Sequence, residues 1–435
     1  MATRNRVIYQ SEAVYVSADS SYSGDLTGSN TAGSNYATKW QPNVVDLNRV
    51  QSANYSFNIT RQDVNQIGEL AAIDRIITDT PTVSMDISYI LANFTNEYRL
   101  GFTVAQSGDA ASSLTSCIGG LIDSSTNAYQ KDYFILTTKE GSDANELVTT
   151  GKYESIIGLG NGFLTTYSTE ASVGGLPTVS IGVEAMNMNF HTVPLTDLQR
   201  GGVAKTNLGQ GFLQQGTNLS GISGINPAIN PTDGTSVDKH ITLPVATGNA
   251  SGANAGLISS LRPGDITISL GKDETDGISS STGGGTWDIA GGDIVDAHIQ
   301  SYTIGFDLSR TPIQKLGTRF AFARPVDFPI TATLSVDAVL ADLTTGSISD
   351  LINCDSTYSA AIKMMDPTTC GTSTKEPVCI YIMKGLKIDS ESFSSSIGDN
   401  KNITLDFSCQ VGGPNQKGVG VFMSGFHNPE FGVQS

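Results

Sequence analysis

Two stretches of the sequence, VQSANYSFNITR from Val50 and IQSYTIGFDLSR from Ile299, follow the same pattern 249 positions apart. That shift aligns residues 50–92 with 299–341 without a gap. Identical residues fall at Gln51/Gln300, Ser52/Ser301, Phe57/Phe306, Arg61/Arg310, Gly68/Gly317, Ala72/Ala321, Arg75/Arg324, Thr82/Thr331, Leu91/Leu340 and Ala92/Ala341. Chance is a poor explanation for these matches, and two copies are too few for a solenoid. The repeat therefore predicts a duplicated domain.

The similarity extends beyond the aligned segment on both sides. The only two tryptophans, Trp40 and Trp287, each stand shortly before a repeated stretch, and an alternating segment precedes each of them. Downstream, the segment that begins at Tyr167 resembles the one that begins at Ile388, and both predict a strand, a Gly-containing turn and a strand. We expect a first domain over residues 1–190 with an insertion at about 94–160, a Gly/Asn/Thr-rich linker or surface insertion over 191–255, and a second domain over 256–435.

Apolar and polar side chains alternate along the repeated segments. In the first, Ala53, Tyr55, Phe57 and Ile59 point one way and polar residues the other, which is the period of a half-buried β-strand. Residues 82–89 and the matching segments of the second copy alternate in the same way. The prediction is a mainly β chain with two tandem domains, each a β-sandwich or open barrel of antiparallel sheet. We expect Phe57 and Phe306 in the core.

The alternation stops after each second long strand. The stretches NFTNEYRLGF from Asn93 and DLTTGSISDLIN from Asp342 each predict one short α-helix, capped by Thr or Ser.

Composition and charge exclude several classes of protein. The net charge of −17 argues against a protein that grips nucleic acid without regard to sequence, because such a protein neutralises phosphates with Lys and Arg. No run of 18 apolar residues occurs, and the first residues lack the apolar core of a secretion signal, so we expect a soluble protein without membrane contact.

The polar sides of the four predicted strands carry small hydroxyl, amide and acidic groups and no Lys or Arg until Arg61 and Arg310 at the strand ends. Such a face suits a wall along which a polyanion slides, since phosphates find no cation to bind. An ordinary solvated face that happens to lack bases is the alternative. The predicted wall consists of Ser52, Asn54, Ser56, Asn58, Thr82, Ser84, Asp86, Ser88, Ser301, Thr303, Asp307, Thr331, Thr333, Ser335 and Asp337.

Residues that usually carry catalysis or metal binding are scattered. The four histidines form no zinc spacing, the glycines of TGGGTWD lack the Lys of a phosphate loop, and no GxSxG motif occurs. The acidic turn KDETDG lacks the periodicity of a calcium loop. Five scattered cysteines favour free thiols, with a bridge between Cys370 and Cys379 as the alternative. We expect neither an enzyme, nor a bound metal, nor a cofactor.

The order of long alternating strand, loop, long alternating strand, short helix and later hairpin resembles the major tail tube proteins of long-tailed bacteriophages. The segment NRVQSANYSFNITRQDVNQIGELAAIDRIITDTPTVSMDISYIL carries the resemblance most clearly, and the likeness covers both repeats. It rests on pattern, without a short diagnostic motif. In that family, subunits close into rings whose inner β-barrel lines a channel, and the rings stack. The duplication is similar to the fused-domain variant, in which three chains give a pseudo-sixfold ring.

The resemblance implies partners and a location. The chain would contact itself, as a trimeric ring with pseudo-sixfold symmetry or as a hexamer, and would meet tape-measure, baseplate and tail-terminator proteins. Viral DNA would pass through without specific binding. Assembly in the host bacterial cytoplasm and residence in the virion tail follow. Two fused copies would satisfy the head-to-tail contact of a ring once within the chain and once between chains, and sheet edges would be used up around the ring.

Two other classes of function fit the same residues. One is another virion structural part, namely a head decoration, tail terminator or sheath protein. The other is a β-sandwich that binds sugar or protein, or an enzyme without a familiar motif.

Overall fold

The structure of the chain is a computed structural model. It describes residues 12–17, 44–78, 82–105, 114–122, 131–138, 153–185, 187–194, 260–272, 278–280, 287–289, 298–314, 316, 324–339, 357–365, 377–394, 402–413, 415–416 and 418–425. Most of these residues lie in antiparallel strands, and only a few form helices, so the predicted mainly β class is confirmed.

The first half of the chain contains eleven of the described strands and two short α-helices. The strands are β1 (Glu12–Ser17), β2 (Val44–Asp46), β3 (Val50–Asn58), β4 (Arg61–Val64), β5 (Asp74–Ile77), β6 (Thr82–Ile90), β7 (Val104–Ala105), β8 (Lys131–Thr138), β9 (Tyr153–Ser172), β10 (Thr178–Ala185) and β11 (Asn187–Pro194). The helices are α1 (Thr95–Leu100) and α2 (Gly119–Ile122).

The second half contributes the remaining described strands and a 3-10 turn at Pro263–Asp265. They are β12 (Ile266–Lys272), β13 (Ile278–Ser280), β14 (Trp287–Ile289), β15 (His298–Asp307), β16 (Ile330–Val339), β17 (Tyr358–Met365), β18 (Pro377–Ser394), β19 (Asn402–Val411) and β20 (Gly420–Gly425).

Eight strands form one continuous antiparallel sheet that unites the two halves. Their order is β3-β6-β10-β9-β15-β16-β19-β18. Strands β3, β6, β10 and β9 come from the first half, and β15, β16, β19 and β18 repeat that order in the second. The halves meet where β9 pairs with β15, with Ser301 opposite Ser172 and Ile304 opposite Thr169. We call this contact the internal junction.

The strand registers repeat between the halves. Ser52 lies opposite Ser88, and 249 positions later Ser301 lies opposite Asp337. The bulge in the first hairpin falls between Val50 and Ser52 and recurs between Ile299 and Ser301.

The second hairpin, formed by β9 and β10 in the first half and by β18 and β19 in the second, repeats with a shift of 224 residues instead of 249. Ser180 pairs with Ser168, and Thr404 pairs with Ser392. The shift is shorter because the first half contains more residues between its two hairpins than the second half does.

Each half adds a second sheet, built on the other end of its longest strand. In the first half, β9 continues between β8 and β11, and β1 extends that sheet beyond β8. In the second half, β18 continues between β17 and β20, and β12 lies beyond β17. The long strands β9 and β18 thus pass from one sheet to the other. Strand β7, from the insertion, pairs in parallel with β20 of the second half.

Alternation places the apolar side of the eight-stranded sheet in one core shared by both halves. Met85, Ile87, Ile304 and Leu334 are almost fully buried, as the period-two pattern predicts. At the internal junction the ring of Tyr167 stacks on that of Phe306, with centroids 5.2 Å apart.

Helix α1 confirms the first predicted helix but not its cap. Its N-cap position is Phe94, which provides no side-chain hydrogen bond. The Oδ1 atom of Asn93 instead accepts the backbone N–H of Thr95 at 3.1 Å. The second predicted helix, from Asp342, lies outside the described residues.

The thiols of Cys117, Cys379 and Cys409 are free and buried. Cys379 therefore does not form the alternative bridge to Cys370, whose own position lies outside the described residues, as does that of Cys354. No helix in the described part of the chain is long and apolar enough to cross a membrane.

Candidate functional site

The side of the eight-stranded sheet that faces away from the core is a continuous polar surface, which we call the polar face. All fifteen residues predicted for the wall lie on the four predicted strands at exposed or half-buried positions. They alternate with buried residues on β6, β15 and β16, and with half-buried or exposed apolar residues on β3. They are Ser52, Asn54, Ser56, Asn58, Thr82, Ser84, Asp86, Ser88, Ser301, Thr303, Asp307, Thr331, Thr333, Ser335 and Asp337. The structure brings both sets of residues onto one surface.

Short hydrogen bonds connect these side chains across neighbouring strands. In the first half, the hydroxyls of Ser52 and Ser88 lie 2.7 Å apart, and those of Ser56 and Ser84 lie 2.6 Å apart. In the second half the pair that matches Ser52 and Ser88 has an acid in place of one serine, and the Ser301 hydroxyl donates to Oδ2 of Asp337 at 2.7 Å. Cross-strand pairs of this kind fix side-chain positions on a sheet.

Four further strands, β9, β10, β18 and β19, also contribute to the polar face, although no wall residues were predicted on them. Thr404 of β19 donates to Oδ1 of Asp337 at 2.5 Å. Asp406, also on β19, accepts hydrogen bonds from Ser335 at 2.7 Å and from Ser390 of β18 at 2.6 Å. Strands β9 and β10 add Glu170, Ser168 and Ser180 among others. Their period-two alternation was visible in the sequence and could have revealed them.

Acidic groups dominate the charge of the polar face. Its acids include Asp86, Glu170, Asp307, Asp337 and Asp406, spread over both halves. Glu184, opposite Ser84, is a further acid on this side and pairs with Arg324. Hydrogen bonds from Ser390 and Ser335 hold the pKa of Asp406 below its usual value, so this acid stays ionised near neutral pH.

Within the paired segments of the eight strands that the structure describes, one cation shares this side. It is Lys387, opposite Ser408 near the point where β18 leaves the sheet.

Arginines lie where the sheet ends at β9 and β10, and they contact protein groups there. The Arg310 guanidinium stands 5.0 Å from the ring centre of Phe163 and donates to the carbonyl of Arg324 at 3.0 Å. Arg324 pairs with Glu184, and its side chain is almost fully buried. The side chains of both arginines therefore contact other protein groups at the rim of the polar face.

The eight-stranded sheet has two edges, and each lacks a second neighbour among the described strands. One edge is β3, which pairs only with β6. The other is the Ile388–Ser394 end of β18, which pairs only with β19. Apolar side chains on these edges are exposed, with Tyr55 at 41% and Phe393 at 54% of their surface. Their counterparts in the internal junction, Ile304 and Thr169, are fully buried.

A buried carboxyl group lies beneath the internal junction. Glu97 of α1 accepts a hydrogen bond from the hydroxyl of Tyr89 at 2.8 Å and a longer one, 3.4 Å, from that of Tyr167. The hydroxyls of Tyr167 and Tyr381 lie 2.7 Å apart, which links β9 of the first half to β18 of the second. Burial raises the pKa of Glu97 to about 7. Sequence reasoning missed this residue because a polar helix of six residues gives no sign of being buried.

Within the described residues, no cluster of three or more His, Cys, Asp or Glu side chains is arranged as a metal site. The acidic turn after Lys272, the TGGG segment and the side chains of all four histidines lie outside what the structure describes.

Comparisons with known proteins give partial likenesses only. No protein-family model matches the chain, and no curated protein matches it. Among solved structures, the tail of an empty gene transfer agent particle is 15% identical, with a TM-score of 0.22, and the match covers 34% of this chain and 92% of that one. The tail tube of SPP1 is 12% identical, with a TM-score of 0.24 and coverages of 40% and 87%.

The baseplate of the anti-feeding prophage is 7% identical, with a TM-score of 0.24 and coverages of 37% and 92%. Likeness at these TM-scores assigns no function to the chain.

Proposed function

We propose that the chain is a structural subunit of a bacteriophage tail tube, in which the polar face lines the channel of stacked rings. The observation that carries the proposal is the eight-stranded sheet, which has one face of short polar and acidic groups and two edges that pair with no further strand among the described residues. A sheet of this kind hides its edges most completely by closing into a barrel, and a barrel turns one face inward.

The chemistry of the polar face suits a passage for DNA. Duplex DNA is a dense polyanion, and cations on a channel wall would bind its phosphates. The acids Asp86, Asp307 and Asp337 repel phosphates, while hydroxyl and amide groups keep the wall wet without binding tightly. The proposed role is therefore conduction of the genome during ejection, without specific DNA binding and without catalysis.

The repeated strand order supports a ring of three chains with pseudo-sixfold symmetry. Each chain contributes two four-stranded units of matching order and register, so three chains would supply six. A hexameric ring of whole chains is the other arrangement compatible with the sequence. Tape-measure protein inside the tube, and baseplate and tail-terminator proteins at its ends, are the partners that such a tube requires in the virion tail.

Negative-stain electron microscopy of the purified chain tests this proposal. We expect hollow rings or tubes, and averages of end-on views distinguish three from six chains per layer when combined with the ring mass. Rings that never stack, or binding to preformed capsids, would favour another virion part. A stable monomer at high concentration that binds a sugar or a protein would contradict the tube.

A further inference from the structure

In the internal junction, two four-stranded units join by pairing β9 with β15. The two edges of the eight-stranded sheet, which have one neighbour each among the described strands, are the counterparts of these two strands. Strand β3 is the counterpart of β15, with a shift of 249, and the Ile388–Ser394 end of β18 is the counterpart of the end of β9, with a shift of 224. The strand that would follow β18 is thus a second β15-like strand, and β3 of another copy has that form.

We infer that β3 of one chain pairs antiparallel with the end of β18 in the next chain, in the register of the internal junction. In that junction Ile304 lies opposite Thr169, and Gly305 lies opposite Ser168. The same shifts place Tyr55 opposite Phe393 and Ser56 opposite Ser392. This inference rests on the proposed ring and supplies its contact between chains.

The exposed apolar groups on both edges support this pairing. Tyr55 and Phe393 are 41% and 54% exposed in the single chain, and the inferred register makes them direct neighbours. Aromatic pairs across antiparallel strands stabilise sheets beyond the area that they bury. Phe57, half-buried on β3, would gain a second neighbouring strand, as Phe306 has in β9. We therefore expect β3 to be covered by β18 of a second copy of the chain, and the end of β18 by β3 of another copy.

The two edges differ from each other, so the contact is head-to-tail. A head-to-tail contact leaves one free edge of each kind on every added chain, and it generates either a closed ring or an open helix. Because the contact between chains repeats the one within the chain, successive units turn by similar angles. Sheets that keep turning in this way close into a barrel.

One substitution on the core side of the junction introduces a charged group. The position of Tyr167 is taken by Glu391, which is exposed and lies opposite Leu405 of β19. The same register sets Glu391 opposite Phe57 of the next chain. The contact between chains would therefore be weaker than the internal junction, where Tyr167 stacks on Phe306.

Disulfide trapping tests the register. Two variants, Ser56→Cys and Ser392→Cys, are prepared as separate chains of different size, mixed during assembly and oxidised. Directly opposed residues on antiparallel strands have Cα atoms within the span of a disulfide, whereas residues displaced by two positions do not. We expect a mixed dimer on non-reducing gels, about tenfold stronger than with Ser390→Cys in place of Ser392→Cys. The parent chain, with its natural cysteines, controls for background bridges.

Electron microscopy of the same samples separates the two proposals. Rings or tubes without the mixed dimer, or with a stronger product from Ser390→Cys, would overturn the inferred register and leave the tube intact. A mixed dimer from chains that form neither rings nor tubes would overturn the tube and uphold the edge pairing. If neither the mixed dimer nor any ring or tube forms, both the tube and the edge pairing are wrong.

Discussion

At the scale of single residues, Glu97 is the group whose charge conflicts most with its surroundings. Its carboxyl is fully buried among Tyr89, Tyr167 and Tyr381, and its Oε2 atom has no hydrogen-bond partner among the described residues. The hydrogen bonds from Tyr89 and Tyr167 and the charge of Arg49 favour the ionised form, but burial opposes it more strongly. The neutral carboxyl is therefore the stable form in the folded chain below about pH 7.

This balance predicts how stability depends on pH. The pKa of Glu97 rises from 4.5 to about 7 on folding, so its contribution is fully present below pH 4.5 and is lost as the pH rises through 7. A difference of this size corresponds to about 3 kcal/mol in the free energy of unfolding. Urea unfolding of the parent chain and of Glu97→Gln, measured at pH 5 and pH 8, isolates the effect because other titrating groups are common to both.

We expect the parent chain to lose stability relative to Glu97→Gln between these two pH values. A difference between the two chains that stays constant with pH would show that Glu97 is ionised throughout.

A matched pair of phenylalanines distinguishes core from edge. Phe306 is 3% exposed and stacks on Tyr167, so Phe306→Ala should cost about 3 to 5 kcal/mol in the free energy of unfolding. Phe57 occupies the same position of the repeat on an open edge, and Phe57→Ala should cost the isolated chain clearly less. Thermal unfolding at concentrations where the chain is monomeric compares them, and equal losses would show that β3 is covered within one chain.

At the scale of strands, the long β18 depends on a glycine where it passes from one sheet to the other. Gly385 has a φ of +74°, and a Cβ atom there would collide with the side chain of Val419. The pairing of β17 with β18 shifts register at this position. Non-glycine residues are strained in such a conformation, and the collision adds to the strain.

Gly385→Ala should therefore lower the free energy of unfolding by more than about 1 kcal/mol. Gly413→Ala is the control, because a Cβ atom at Gly413 meets no atom of the described residues within 4 Å. Chemical denaturation of both variants measures the difference. Similar midpoints for the two would mean that the backbone of β18 relaxes at no cost.

Strands and their buried sides were predictable from the sequence, because period-two alternation directly reports which side chains face the core. Tyr302, Ile304 and Leu334 are buried as expected. The pattern could not show which strand edges meet, since the pairing of β9 with β15 depends on backbone groups that every residue carries. For the same reason, the half-exposed state of Tyr55 on β3 was not predictable, although its alternation equals that of Ile304.

At the scale of the whole molecule, the described part of the polar face carries acids in both halves and a single cation, Lys387, near one of its edges. The acids occur in both halves, at Asp86 and Asp307 for example, so a closed ring would repeat them around its circumference. In the proposed tube, a change of charge at one residue would be multiplied by the number of chains in each ring and by the number of rings. Small changes on this face should have large effects on transit and small effects on folding.

Asp86 is the best position for testing this effect. It is exposed on β6, between Asn54 and Gly182 on the neighbouring strands. Asp337 would test the same idea less cleanly, because it accepts hydrogen bonds from Ser301 and Thr404 and its replacement would also disturb their geometry. In particles assembled with Asp86→Lys, we expect tubes of normal appearance and slow or blocked release of DNA, since each ring then presents cations to the phosphates.

Two further variants separate charge from position. Asp86→Asn removes the acid without adding a cation and should release DNA nearly normally. Glu12→Lys makes the same change of charge on β1, which belongs to the second sheet rather than to the polar face, and should also release DNA normally. Release is measured as the rate at which DNA becomes accessible to a dye after ejection is triggered, over a range of salt concentrations. The defect of Asp86→Lys should shrink as salt rises, because screening weakens each phosphate contact. Normal release by Asp86→Lys at low salt would mean that the polar face does not line the channel.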